Sequence, residues 1–343
     1  MPATVVRDVV PPTVVGRLSL DYGYNAAGDV TSLSVATPTL AESESFIYDN
    51  QDRIRKWTAA GTYAFSHEFA YTAGGDRLQM IEDGTTWSYA YTQDHRLTQY
   101  SKPGLAATLA YDANGNTRWR NVTQGPTTTK EYLYDSEDRL TTAKQNGATI
   151  GSYTYDGLGR RVMAVEGTTT TYFVYSGLSL VYTQATSVTH YIYASGLLVA
   201  RTVDGVKYYV HQDALGSVRV VTNTAGAIFS STQYKPFGIQ YGLVNEPVGQ
   251  RLKFTGQWHD AATNMYYLYR RFYDPELGRF LSPDPVLGHL TVRQSLDRYV
   301  YTVNNPLRYI DPTGEDWWNP FSWTEEIGKA LSAIANGIVG VAS

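Results

Sequence analysis

Residues 111–160 read YDANGNTRWRNVTQGPTTTKEYLYDSEDRLTTAKQNGATIGSYTYDGLGR, and this stretch decides the fold. Tyr111, Tyr134 and Tyr155 are each followed by aspartate and then by a short polar or glycine-rich run. In the second and third copies that run ends on Arg139 and Arg160. An aspartate at this point can bond the amides of its own turn, while Gly or Asn takes a positive φ. Flanking residues alternate between polar and apolar, the period of a half-buried strand. Each copy therefore reads as strand, tight turn, strand, with a second turn such as that at Gly147 closing the unit.

The same unit extends outward in both directions. It recurs at Tyr48-Asp49, Tyr71 and Tyr91, with steps of 20–23 residues between successive tyrosines. Tyr24 begins an earlier copy, and Tyr175 and Tyr193 begin degenerate later ones. A period in this range marks a repeat architecture rather than an ordinary globule. It also explains why 29 of the 343 residues are tyrosine. A ring at that position supplies cross-strand packing, and a structural role accounts for it without a bound sugar. The fold class is all-β, a ribbon of hairpins that must close or cover its edges.

Composition excludes several functions. The net charge is −4 and the pI about 5.9, so no basic field attracts nucleic acid. Cysteine is absent, which removes disulfides, thiolate metal sites and thiol nucleophiles. The six histidines are scattered, with no pair at a metal-ligand spacing, and no cofactor motif is present; neither metal nor cofactor is expected. The first residues, MPATVVRDVVPPTVV, lack the basic start and apolar run of a signal peptide. An exported product of a dedicated machine, or a fragment of a longer chain, is expected.

One region departs from the simple repeat. Phe254 to Glu315 holds three Asp-Pro pairs, at Asp274, Asp284 and Asp311, each a turn signal. Between them, Met265 to Phe272 and Arg298 to Val303 read as strands. Within this region, RRFYDPELGRFLSPDP and DRYVYTVNNPLRYIDPTG resemble the Rhs repeat-associated core domain of YD-repeat proteins. Upstream, His211 to Gly238 is similar to the segment that precedes that core. Relatives of the domain include Rhs polymorphic toxins, the C components of ABC toxin complexes and the YD shells of teneurins.

The resemblance implies that the ribbon spirals into a hollow shell, here a partial one, with the core curling inward as a plug. It also implies self-cleavage by an aspartic-protease-like pair, Asp284 and Asp311, assisted by Arg271, and no multiple-turnover activity. Two carboxylates sharing a site cannot both ionise, so one donates a proton while the other activates water. Family cleavage falls after the residue that follows the glycine of DPxG. Here that bond joins Glu315 to Asp316, with glutamate where the family carries leucine.

The expected organisation is a leader or truncated strand at 1–17, a YD shell at 18–210, the core at 211–315 and a variable tail at 316–343. In the tail, Ser322 with Glu325 forms a capping box, and Ile327, Leu331, Ile334, Ile338 and Val341 form one helical stripe. A short helix over about 323–341 follows. The expected function is a secreted or exported shell that encloses or presents its own C-terminal segment. Its expected partners are that tail and, through open strand edges, a second shell chain or copy; the tail could also touch a membrane. The rival reading is an adhesion module that recognises glycans or a surface partner through shell aromatics.

Overall fold

The computed structural model describes residues 18–194, 196–245, 250–286, 288, 293–315 and 317. The leader at 1–17, Asp316 and the helix expected at about 323–341 lie outside the described residues. The architecture is all-β. Among the described residues, twenty-two strands, from β1 (Ser19–Tyr24) to β22 (Gln240–Val244), follow one another as a single antiparallel meander. A second sheet of four short strands holds β23 (Trp258–Asp260), β24 (Met265–Leu268), β25 (Arg271–Asp274) and β26 (Arg279–Phe280).

The Tyr-Asp unit does two separate jobs. The carboxylate Oδ1 of Asp49, Asp112, Asp135, Asp156 and Asp213 accepts the amides two and four residues on, at 2.8–3.1 Å. That closes the turn. The tyrosine hydroxyl reaches sideways to the neighbouring strand. Tyr48 donates to Val30 O, Tyr71 to Ile54 O, Tyr111 to Leu97 O, Tyr134 to Thr117 O and Tyr155 to Leu140 O, at 2.6–3.1 Å. Each acceptor stands at the start of the strand that follows the previous turn. Arginine joins the two jobs: Arg53, Arg139 and Arg160 bond their own turn aspartate and lie over the tyrosine of the next unit, Tyr71, Tyr155 and Tyr175. The repeat tyrosines are structural.

Replacing Tyr155 with Phe keeps the ring and deletes one such bond, leaving the Leu140 carbonyl short of a donor. The expected cost is about 1 kcal/mol, read as a lower denaturant midpoint at unchanged slope.

The curl has a local cause. At each Tyr-Asp turn the register slips by one residue, with Ile47 opposite Lys56 but Tyr48 opposite Ile54, and Thr154 opposite Met163 but Tyr155 opposite Arg161. The same slip precedes Tyr71, Tyr91 and Tyr134. A bulge at each of these turns bends the ribbon repeatedly at the same edge. Side chains on the concave face alternate in size, with Tyr132 opposite Ala143 and Tyr153 opposite Ala164, so neighbouring rings fit without crowding.

Curling brings the end of the ribbon onto the inner face of its start. Tyr241 packs on Trp57 and Phe65, Phe237 on Phe69, and Lys235 pairs with Glu82 at 2.8 Å. Among the described residues no strand ladder joins the two ends. Among the described residues β1 pairs only with β2 and β22 only with β21, so the sheet is unclosed. The ladder runs through Gln212 to Val244.

The described residues between 250 and 308 occupy the concavity. Leu252, Trp258, Met265, Tyr267, Phe272 and Leu281 share one apolar cluster with the inner faces of the strands from β11 (Thr127–Tyr134) to β20 (Val218–Asn223). Two expectations about this segment need correcting. Met265 to Phe272 is a hairpin rather than one strand, because the chain reverses at Tyr269, whose φ is +50°. Arg298 to Val303 is not a strand either: only Val300 bridges, to Arg279, and Val303 has φ +48°. Side chains of the core reach the repeat turns instead. Asn305 donates to Asp52 O, Asn304 to Gly75 O, Arg279 to His95 O and Tyr299 to Gly115 O, so the core bonds four consecutive turns in chain order.

Candidate functional site: two aspartates on one guanidinium

Three pieces of the core converge on Arg271. It opens β25 directly after the tight turn at Tyr269. Asp284 lies beyond β26, where its amide donates to Arg298 O at 2.7 Å and Arg298 Nε returns a bond to Asp284 O at 2.7 Å. Asp311 begins the DPTG turn, and its Oδ1 accepts the Gly314 amide at 2.7 Å. Gly314 is required there. Its φ is +74°, and a β-carbon would stand 2.4 Å from Leu268 O.

The sequence separates these residues by up to 40 positions, and the fold puts both carboxylates on one nitrogen. Arg271 Nη2 donates to Asp284 Oδ2 at 2.6 Å and to Asp311 Oδ2 at 3.2 Å. Nη1 donates to Arg298 O at 2.9 Å, and Nε donates to Gly314 O. The guanidinium lies 3.6 Å from the centroid of Phe280, so one face is covered by a ring. Arg271 and Asp311 are buried, whereas the Asp284 side chain keeps 18% of its surface exposed. An open cleft of about 480 Å³ reaches the three from one side, with Val286, Val300 and Trp317 among its walls.

Electrostatics distinguish the members. Burial raises the Asp284 carboxyl above the ordinary range, Arg271 only partly offsets it, and Glu315 adds to the rise. Burial likewise pushes Arg271 below its usual value against the pull of Asp311 and Asp284. Arg271 faces both carboxyl groups at once, and the Arg298 guanidinium also pulls Asp284 down. Glu315 does not join the pair. Its carboxylate lies 3.3 Å from Arg270 Nε. Asp316 lies outside the described residues.

The comparison with known proteins matches this architecture. The model of the teneurin YD-shell covers residues 15–307. The chain belongs to the teneurin YD-shell family. Among curated relatives, this YD-shell chain is 28% identical over 337 residues to the double-stranded DNA deaminase toxin A of Burkholderia cenocepacia, with 87% of the chain and 22% of that protein covered. It is 31% identical over 268 residues to the tRNA nuclease WapA of Bacillus subtilis, covering 73% of the chain and 11% of the relative. A solved structure of the Photorhabdus luminescens Tc holotoxin pore aligns over 87% of the chain and 20% of its own, at 15% identity and a TM-score of 0.46. The YD-shell chain is a structural shell module, and it spans about a fifth or less of these relatives' length.

Sequence reasoning missed two kinds of residue. Arg298 orients both Arg271 and Asp284 through its backbone, a role no side-chain pattern advertises. A second cluster was also hidden: Asp76, His95 and Asp297 bring ligand atoms within 4.8 Å of one another. Arg279 already stands among them, with two bonds of 3.0 Å to Asp297, and supplies the positive charge there.

Proposed function

We propose that this shell module encloses and presents the segment that follows residue 315, and frees it by one self-cleavage between Glu315 and Asp316. The observation that carries this reading is the hold of Arg271 on both carboxyl groups and on the carbonyl of Gly314, one residue before the scissile peptide's own carbonyl. Residues 211–315 then act as the processing core, and residues from 316 onward begin the cargo.

The chemistry is hydrolysis. Asp284, raised by burial and open to the cleft, carries the proton, and Asp311 is the ionised partner. A water between them gives a proton to Asp311 as its oxygen attacks the Glu315 carbonyl carbon. Asp284 gives its proton to the departing amide nitrogen of Asp316. One water is consumed, and a new carboxyl group and a new amine result. Arg271 holds the negative charge of the pair and fixes the strand that enters the site. The enzyme is its own substrate and acts once.

Partners follow from the same architecture: the tail itself and, at the edges of β1 and β22 that pair with no further strand among the described residues, a further shell chain or copy. A toxic cargo of the kind named in the relatives fits such a shell, as does export from the cell.

Intact-mass spectra of chain freshly folded across a pH series test the reading. Two masses parted at 315/316 are expected. Cutting should slow as pH rises through the elevated Asp284 pKa, because the proton donor is lost there. A single full-length mass at every pH, from folded protein, would overturn the reading.

A further inference from the structure

The consecutive arginines at the β24–β25 turn point in different directions. Arg271 is buried on the two aspartates, while Arg270 is 44% exposed and its Nε lies 3.3 Å from Glu315 Oε1. Arg270 is placed by two further contacts. Its amide donates to Thr313 O at 3.1 Å, so residues 313–315 run along the turn. Its guanidinium also sits over Gly159 in the Tyr155-Asp156 turn, where an added β-carbon would be 2.9 Å from Nη1. The shell therefore leaves a notch for this side chain.

Glu315 faces a problem that Arg270 resolves. It lines the same cleft as Asp284 and adds to the load of negative charge on it. Drawn to Arg270, the carboxylate is turned to a cation outside the pair, and the backbone at 315 is fixed at the site's mouth. We infer that Arg270 is a specificity-determining residue of the self-cleavage site, selecting a carboxylate at the position just before the scissile bond. This selection rests on the self-cleavage reading. It gives the glutamate at 315 a reason in this chain, where the family resemblance implies leucine.

The pair is partly exposed, so its influence is modest and screened by salt. Reversal adds repulsion to the lost attraction. Arg270→Glu should cut roughly three- to tenfold more slowly than the natural chain at low salt, with a smaller difference at 1 M salt. The double variant Arg270→Glu/Glu315→Arg should recover most of the rate, which a merely structural role for Arg270 would not produce. Arg270→Gln, milder for folding, should fall between. A second readout does not depend on self-cutting. In an Asp311→Asn background, which keeps the chain whole, Arg270→Glu should speed cleavage at Glu315 by an added glutamate-specific protease. If the natural chain cuts but Arg270→Glu cuts equally fast, or the double variant recovers nothing, the selection by Arg270 is wrong. If the natural chain stays whole, the self-cleavage reading fails and the selection with it; an unchanged external cut would refute even the pairing.

Discussion

Asp311→Asn is expected to give a folded, full-length chain in which no tail is released. Asparagine keeps the shape of the side chain and an acceptor for the Gly314 amide, so the DPTG turn survives. What it lacks is the carboxylate that takes a proton from water, and loss of such a group costs about 10²–10⁴ in rate. Asp284→Asn should match it, because the other carboxyl must supply the proton to the leaving amine. Arg271→Ala should be worse in a different way. It strips the guanidinium that bonds both aspartates and leaves the buried Asp311 without that cation, a change worth about 3–5 kcal/mol of stability. The three variants therefore separate chemistry from scaffolding. Mass spectrometry should find whole chain in all of them, while thermal melting should distinguish Arg271→Ala from the two asparagine variants. Tail release at the natural rate by either asparagine variant would show that these aspartates only shape turns.

Much of this molecule was legible in its sequence, because the repeat writes the same local physics many times. A tyrosine and an aspartate announce a strand end and a closed turn, and the Asp49, Asp135 and Asp156 turns all have the expected bonds, although Asp52 and Asp138 take the positive φ in the first two and glycine only in the third. The bulge was invisible, since the extra residue after each turn is chemically unmarked, and with it the cause of the curl. Interior polarity was invisible too. On β3 (Leu40–Tyr48), Glu42 and Glu44 point inward between Leu40 and Phe46. Trp57 Nε1 donates to Glu44 at 2.7 Å, and burial pushes this carboxyl up to about 7. Nothing in alternation foretells glutamate on a core face. It is the return of β20 (Val218–Asn223), carrying Arg219, that gives the charge a distant partner. The candidate site shows the same division. The residue types and the turns at Asp284 and Asp311 were readable, but their meeting on one nitrogen depends on contacts across the core.

Core and ribbon are pinned most deeply by Arg161 and Asp260, and breaking that pin should have the largest effect on stability. Arg161 Nη1 donates to Asp260 Oδ2 at 2.6 Å, and both side chains are fully buried. Rings of Tyr153, Phe173, Tyr267 and Phe272 surround the guanidinium at 4.3–5.7 Å, and its amide donates to the Tyr267 hydroxyl. Burial outweighs the arginine's pull and raises the Asp260 carboxyl to about 6. A carboxyl raised in this way favours the folded state most at low pH. Its contribution fades as pH climbs from 3.8 toward 6. Asp260→Ala should cost about 3–5 kcal/mol, because it leaves a charged guanidinium among rings with no anion. Arg161→Met should cost a comparable amount by stranding the carboxylate. The double variant Arg161→Met/Asp260→Leu should cost much less than the sum, since an apolar pair removes both desolvation penalties at once. Urea midpoints of the four proteins close the cycle, and core and ribbon should unfold in one transition. Additive single costs would mean that the two charges do not act as a pair. A first transition confined to the core in Asp260→Ala would instead show that the ribbon stands without its plug.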